Sequence, residues 1–149
     1  MKNINTLVED VYGVLSSSKA DSNVDVDKVI EDFGESMKSL LRDNVLKIRE
    51  DKRTLRMSNI GRKERFLWYV HKGMPQEQMK PSTLMKFLYG HATEELVLAL
   101  VKLAGHEVTH QQAEAEVSGI KGSMDCVIDG KLIDVKTRSE IFEMTLINS

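Results

Sequence analysis

Two acidic residues and a lysine flank a predicted β-hairpin in the last quarter of the chain. The dipeptide Asp129-Gly130 separates two short apolar runs, and this dipeptide favours a two-residue hairpin turn. With that turn, Asp125 lies directly opposite Asp134, with the two Cβ atoms about 4.5–5.5 Å apart on one face. Residues two apart in a strand point to the same side, so Lys136 joins the two carboxylates. The spacing therefore predicts two carboxylates and an ammonium group on one surface of the sheet.

Two facing carboxylates repel each other unless a cation lies between them. Mg²⁺ and Mn²⁺ favour carboxylate oxygens, and the backbone carbonyl of Val135 is expected beside them. Such a set suits metal-assisted hydrolysis of phosphodiester bonds, in which the lysine orients the attacking water or stabilises charge on the phosphate. The alternative is a chance spacing around an ordinary hairpin. The apolar residues on both strands weigh against it, because acids in central strands are costly without a purpose.

A predicted helix beginning near Ser82 or Thr83 and ending near Gly105 supplies a further acid. His91 shares one of its faces with Glu94 at the i+3 position or Glu95 at the i+4 position. A carboxylate on this otherwise apolar face could reach the same metal. The alternative places both glutamates in solvent at the edge of the stripe, and His91 in the core with a hydrogen bond.

Three runs of this region resemble the PD-(D/E)XK nucleases, namely GHATEELVLALVKLAGHEV (90–108), QQAEAEV (111–117) and GIKGSMDCVIDGKLIDVKT (119–137). The likeness is greatest to phage-type members of the branch that includes RecB-like nuclease domains and phage exonucleases. The resemblance implies a restriction-endonuclease-like mixed sheet core and DNA cleavage that depends on Mg²⁺ or Mn²⁺. The catalytic residues that it implies are Glu94, Asp125, Asp134 and Lys136. The implied metal ligands are Glu94, Asp125, Asp134 and the carbonyl of Val135, with His91, Glu95 and Gln112 as secondary candidates.

A basic segment precedes the predicted catalytic helix. Its run MSNIGRKERFLWY (57–69) is similar to the segment that such phage proteins place before that helix. The residues expected to contact DNA are Ser58, Asn59, Arg62, Lys63 and Arg65, together with Thr137 and Arg138 beyond the hairpin. Arg49, Lys52, Arg53 and Arg56 add to the local positive charge, and phosphate contacts should make binding salt-sensitive. Trp68 and Tyr69 either stack on an unpaired base or pack in the core, and core packing is the favoured interpretation.

The bulk composition limits the function classes. The 149 residues carry a net charge of −2, so any nucleic-acid contact must depend on a local patch. The single Cys126 excludes an intramolecular disulfide and a Cys-rich zinc site, and it fits a reducing cytoplasm. No stretch approaches the roughly 18 apolar residues that span a membrane. We therefore expect no membrane contact and a cytoplasmic location, in the host cell if a phage encodes the chain.

The predicted fold class is α/β. A helical N-terminal region that includes the basic segment (residues 1–80) precedes the nuclease core (residues 81–149), and the two are expected to form one compact domain. Helices are expected over 4–16 and 25–50. Residues 107–117 alternate in part like a strand, 118–123 is expected to be a turn, and strands are expected over 124–128 and 131–135. The tail after Lys136 is short and ambiguous, which leaves a sheet edge that a second chain or a homo-oligomer would complete.

The expected activity is cleavage of DNA, exonucleolytic in mode, in phage-type recombination, repair or genome processing. One alternative is a DNA-binding module of the same fold that lacks turnover and needs a partner chain. Another is an interaction protein whose helices form the functional surface. Neither the strand preference of cleavage nor its polarity follows from the sequence.

Overall fold

The computed structural model describes residues 2–46, 55–74, 79–137 and 142–146. Its four α-helices are α1 (Leu7–Ser17), α2 (Val26–Leu41), α3 (Glu64–His71) and α4 (Pro81–Leu103). The side chain of Asp25 caps α2 by accepting a hydrogen bond from the Lys28 N–H at 3.1 Å. Pro81 is the first residue of α4, where its missing N–H costs nothing. Among these described helices, none combines the length and the apolar character needed to cross a bilayer.

The predicted helical N-terminal half is confirmed, with different limits. A 3-10 turn at Ile4–Thr6 leads into α1, and α2 ends in a π-helical turn, Arg42–Leu46. The rest of the helix expected to reach residue 50 lies outside the described residues. Both α1 and α2 pack directly on α4.

Six short strands follow α4. They are β1 (Val108–Thr109), β2 (Glu114–Val117), β3 (Ile120–Ser123), β4 (Cys126–Ile128), β5 (Lys131–Thr137) and β6 (Phe142–Leu146). One sheet has the order β1-β4-β5-β6, and β2 pairs with β3 separately. Every strand pairing within the described residues is antiparallel. The named strands therefore do not form the mixed sheet expected from the sequence, and the one parallel pairing among the described residues is an isolated bridge between Arg56 and Lys121.

The hairpin at residues 129 and 130 has the predicted register. Cys126 pairs with Ile133, and Ile128 pairs with Lys131. Asp129 and Gly130 adopt φ values of 49° and 77°, the left-handed conformations that a type I′ turn requires at both positions. The alternation of side chains along β5 is therefore the one on which the predicted carboxylate cluster depends.

The prediction for residues 107–123 was wrong in two respects. Residues 107–117 do not form one strand, because left-handed backbone at His110 and Gln112 breaks the chain between β1 and β2. The segment 118–123 is not simply a turn, because Ser118-Gly119 forms a second tight turn and β3 follows it. The Ser-Gly dipeptide between two alternating runs was the overlooked signal.

The ambiguous tail supplies a strand. β6 pairs with β5 along its length, with Phe142 opposite Thr137 and Leu146 opposite Ile133. β5 therefore lies inside the sheet and not at its edge. Edge strands present unpaired backbone groups, and β5 avoids this exposure. Completion of the sheet by a second chain stays a prediction.

The core lies between α4 and the four-stranded sheet. Leu98 and Val101 of α4 meet the inward-facing Cys126, Ile128 and Ile133, all of which are buried. Burial of each large apolar side chain contributes about 1.5–3 kcal/mol, so this contact fixes how α4 lies across the hairpin.

A buried histidine ties the N-terminal helix to the hairpin. The Nδ1 atom of His106 lies 2.7 Å from a carboxylate oxygen of Asp129, and its Nε2 atom lies 3.1 Å from a carboxylate oxygen of Asp10 in α1. The other oxygen of Asp129 accepts the Glu107 N–H at 3.1 Å. These contacts hold Asp129 in place in the turn that joins β4 to β5.

We expect Leu98→Ala to lower the free energy of unfolding by about 2–4 kcal/mol, because it leaves a cavity in the contact between α4 and the sheet. Urea denaturation followed by circular dichroism measures this change. The matched control is Leu96→Ala on the same helix, where half of the side chain is exposed and a change below about 1 kcal/mol is expected. Equal losses in the two variants would contradict this core.

Candidate active site

The structure brings together four residues that the sequence proposed as catalytic. Glu94 lies on the face of α4 that meets the sheet, Asp125 immediately precedes β4, and Asp134 and Lys136 lie in β5. The charges of Asp125 and Asp134 act on each other and on Glu94, so the three carboxyl groups lie near one another where α4 meets the hairpin. Asp125 also accepts the backbone N–H of Val135 at 3.0 Å, which fixes its carboxylate against β5.

Glu94 is the buried member of this carboxylate cluster, which comprises Glu94, Asp125 and Asp134. Its residue surface is only 9% exposed. Burial, and then the negative charge of Asp125, raise the pKa of Glu94 to about 7, although a hydrogen bond from Gln112 opposes the shift. That bond runs from Gln112 Nε2 to Glu94 Oε1 at 2.7 Å. A carboxyl group near its midpoint of ionisation at neutral pH is one that an added cation can readily convert to the charged form.

The pKa values of the two aspartates are shifted in opposite directions. Burial, and then the hydrogen bond and charge of Asp134, raise the pKa of Asp125, although the bond from Val135 lowers it. Burial also acts to raise the pKa of Asp134, but hydrogen bonds from Lys136 and Asp125 outweigh it and the pKa falls below its usual value. Asp134 is thus the carboxylate of the pair that keeps its negative charge.

Lys136 supplies the positive charge of the site. Its Nζ atom lies 2.5 Å from Asp134 Oδ2, and the hydrogen bond to Asp134 raises the pKa of the lysine. The side chain is 66% exposed, so most of its length is in solvent and free to change direction. The ammonium group is therefore protonated at neutral pH and can reach a molecule bound above the cluster.

The structure distinguishes Glu94 from Glu95, which the sequence left open. Glu95 lines a narrow gap between α4 and α2 together with Asp32 and Lys102, away from the hairpin. His91 lies at the margin of the cluster, with Nδ1 3.9 Å from Glu94 Oε2 and about half of its side chain exposed. Of the two alternatives that the sequence left open for His91, burial in the core is therefore wrong.

Gln112 has a larger structural role than its place among the secondary candidates suggested. Besides holding Glu94, it donates its backbone N–H to the carbonyl of Asp125 at 2.9 Å. Its backbone is left-handed, with φ of 50°, which is uncommon for a residue other than glycine. Gln112 thus connects the helix carboxylate to the strand carboxylate.

Cys126 lies below the cluster and is fully buried. Burial, and then the charges of Asp125 and Glu94, raise the pKa of its thiol to about 12. A thiol in this state is a poor nucleophile, since the thiolate is the reactive form. The chemistry of this site therefore belongs to its oxygen and nitrogen groups.

The residues predicted to contact DNA are distributed over two regions. Ser58 and Asn59 form a 3-10 turn, Met57–Asn59, in which Asn59 Oδ1 accepts the Arg56 N–H at 2.8 Å. Arg62, Lys63 and Arg65 are exposed at and before the start of α3. Thr137 ends β5. The other predicted cations, Arg49, Lys52, Arg53 and Arg138, lie outside the described residues.

An open cavity of about 410 Å³ adjoins the 3-10 turn. Its polar lining comprises Arg56, Ser58, Glu114, Lys121 and Ser123. Gly122 permits close approach of the turn, because a Cβ atom there would lie 2.6 Å from Met57 Sδ. The sequence interpretation missed Lys121 and Ser123 because it treated their strand as a turn. The Ser-Gly turn signal was the one that could have found them.

The carboxylate cluster is not a preassembled metal site. Within residues 2–46, 55–74 and 79–136, no three acidic, histidine or cysteine side chains converge as a complete set of ligands. Each carboxylate instead bonds to a protein group: Glu94 to Gln112, Asp125 to Val135, and Asp134 to Lys136. The donors themselves fit a hard divalent cation, which prefers carboxylate oxygens and would relieve the repulsion that raises the pKa of Glu94.

Glu94→Gln should stabilise the metal-free protein at alkaline pH. The folded-state pKa of about 7 exceeds the value of 4.5 expected when unfolded, so ionisation of Glu94 favours unfolding as pH rises. Glutamine preserves the contact with Gln112 and cannot ionise. Urea denaturation in EDTA should show little difference at pH 4 and a gain on the order of 1–3 kcal/mol at pH 8.

The control for this stability measurement is Glu31→Gln, on an exposed position of α2. Its curve should follow the wild type at both pH values. A Glu94→Gln variant that is less stable than the wild type at pH 8 would contradict the burial of a strained carboxyl group at this position.

Comparison with known proteins does not identify a family for this chain. No protein-family model matches it, and the curated proteins and the solved structures likewise give no significant match. The chemistry of the site is therefore inferred from the geometry and charges of its own residues.

Proposed function

We propose that this chain is a metal-dependent DNA nuclease that hydrolyses phosphodiester bonds, with Mg²⁺ or Mn²⁺ as its cofactor. The observation that carries the proposal is the meeting of three carboxylates, one from a helix and two from a hairpin, beside an exposed lysine. Exonucleolytic cleavage and a role in phage-type recombination, repair or genome processing are parts of the proposal that come from the motif resemblance. The proposed cytoplasmic location comes from the single cysteine and the composition.

In this proposal the three carboxylates and the carbonyl of Val135 hold the cation. A divalent cation at this position would lower the pKa of a bound water and polarise the phosphate. Glu94 is oriented for binding by Gln112, and Asp125 is oriented by the N–H of Val135. Both partners stabilise the ionised carboxylates, so they can remain in place when the cation binds.

Lys136 has a different task, because a cation on Asp134 competes with its ammonium group. The lysine is mostly exposed, so it can release Asp134 at little cost and turn towards the phosphate. There its ammonium group orients the attacking water or neutralises charge that develops on the phosphate oxygens. Asp134 would hold the cation in place of Lys136, and the ammonium group would then be available to the phosphate.

The cavity beside the 3-10 turn supports binding of the DNA backbone. Arg56 and Lys121 supply positive charge, and Ser58 and Ser123 supply hydroxyl donors. Such groups are the usual partners of phosphate oxygens. Ser123 precedes Asp125 by only two residues, so the cavity and the carboxylate cluster are linked by a short stretch of chain.

A second candidate function is DNA binding without turnover. The observation that favours it is that all three carboxylates already have protein partners and form no complete ligand set in the part of the chain that the structure describes. Metal binding and cleavage measured separately distinguish the two functions.

Divalent cation should raise the stability of the wild type. At a Mg²⁺ or Mn²⁺ concentration 100 times the dissociation constant, the free energy of unfolding increases by about 2.7 kcal/mol if only the folded state binds. Thermal denaturation with the cation and with EDTA measures this increase. Asp134→Ala should abolish the increase caused by the cation. Glu31→Ala, at an exposed position of α2, should retain that increase. Similar increases in both variants would mean that the cation binds elsewhere.

Lys136→Ala should abolish cleavage of DNA while leaving the fold intact. The test incubates end-labelled linear DNA and closed circular DNA with the protein and Mg²⁺ or Mn²⁺. The wild type should degrade linear DNA and leave circles intact, and Lys136→Ala should be slower by roughly a hundredfold or more. The matched control is Lys131→Ala, an exposed lysine at the start of the same strand. Metal binding without any cleavage by the wild type would favour the second candidate function.

A further inference from the structure

The helix α3 presents aromatic rings to solvent instead of burying them. None of its residues is buried, Trp68 is 53% exposed and Phe66 is 44% exposed. In the described residues, α3 makes no extensive packing contact with another helix or strand. The favoured expectation that Trp68 packs in the core was therefore wrong. An exposed aromatic surface of this kind requires another explanation, since burial would have stabilised the fold.

Each aromatic ring of α3 carries its own cation. Arg62 lies over Phe66 with 5.8 Å from its Cζ atom to the ring centroid, and Arg65 lies over Tyr69 at 5.7 Å. Lys72 Nζ lies 5.9 Å from the centroid of the Trp68 ring. The rings of Trp68 and Tyr69 meet edge to face at 5.2 Å. The result is a continuous surface of alternating rings and positive charges, here called the α3 platform.

The cations of the α3 platform have no acidic partner among the residues that the structure describes. Residues 55–74 contain five lysine and arginine residues and one acid, although the whole chain has a net charge of −2. Arg62, Lys63, Arg65 and Lys72 form no ion pair with any residue that the structure describes. The platform therefore offers unneutralised cations beside exposed rings, which is the combination found where unpaired bases stack.

We propose that the α3 platform binds single-stranded DNA, with bases stacked on Trp68 and Phe66 and phosphates paired with Arg62 and Arg65. This inference deepens the proposed nuclease function, on which it rests for the identity of the nucleic acid. A duplex fits the platform less well, because the faces of paired bases are covered by their neighbours in the stack. An acidic peptide would satisfy the cations and leave the rings without partners. An unpaired strand satisfies both.

The test uses Trp68 as its own probe, because it is the only tryptophan in the chain. The full-length protein is titrated with an oligothymidylate in EDTA, so that no cleavage occurs, and Trp68 fluorescence is recorded. Stacking should quench the fluorescence. A hairpin duplex of equal charge and polyglutamate should quench it at least tenfold less effectively at equal concentration of negative charge. Equal quenching by the duplex, or quenching by polyglutamate alone, would overturn the proposal in favour of duplex or acidic-peptide binding.

Variants separate the rings from the charges. By fluorescence anisotropy of a labelled oligothymidylate, Trp68→Ala should weaken binding about five- to hundredfold, and Trp68→Phe should restore most of it. Arg62→Gln with Arg65→Gln should weaken binding and reduce the slope of log affinity against log salt by about 1–2. The controls are Tyr12→Ala, an exposed aromatic residue on α1, and Lys28→Gln, an exposed lysine on α2. Wild-type affinity in Trp68→Ala would overturn the proposal.

These outcomes are distinguishable from those of the nuclease test. Binding of single-stranded DNA that depends on Trp68, without cleavage in Mg²⁺ or Mn²⁺, would support the α3 platform as a binding surface and contradict the nuclease function. The opposite outcome is cleavage that depends on Lys136, with rate, strand preference and DNA binding all unchanged in Trp68→Ala. That result would support the nuclease function and contradict the proposal for the α3 platform.

Discussion

The repulsion between three carboxylates at a helix–sheet contact is the constraint on which this structure depends. Glu94 cannot move away from Asp125, because Leu98 and Val101 one and two turns further along α4 are held in the core. The fold therefore holds negative charge in a partly buried place where ionisation is costly, and the pKa of Glu94 near 7 reflects that cost. A positive group beside the carboxylates lowers this cost, and Lys136 supplies one through its contact with Asp134.

The cluster combines fixed and adjustable parts. The acids are held by backbone geometry and by Gln112 and Val135, which donate hydrogen bonds to them. Lys136, by contrast, is attached through a long side chain that is mostly in solvent. Fixed carboxylates and a mobile ammonium group suit a site in which a bound divalent cation would replace Lys136 as the partner of Asp134.

Positive charge is concentrated away from the core, in residues 55–74. This segment is anchored where Met57 packs against Gly122, and it then projects the exposed α3 platform. The separation keeps the basic groups clear of the three acids, which would otherwise neutralise them. A chain with a net charge of −2 can therefore present a local surface for a polyanion.

The sequence by itself determined the hairpin and its register. Asp129-Gly130 is a local signal, since only a few residue pairs adopt left-handed backbone at two successive positions, and the alternation in β5 follows from it. The long apolar pattern likewise determined α4. The sequence could not distinguish Glu94 from Glu95, because neighbouring helix positions differ only in which element they face. It also missed β3, β6 and the exposure of Trp68, because pairing partners and burial depend on residues distant in the chain. Only the tertiary structure, through the packing of α4 on the sheet and of Met57 on β3, decided which acids meet and which rings remain in solvent.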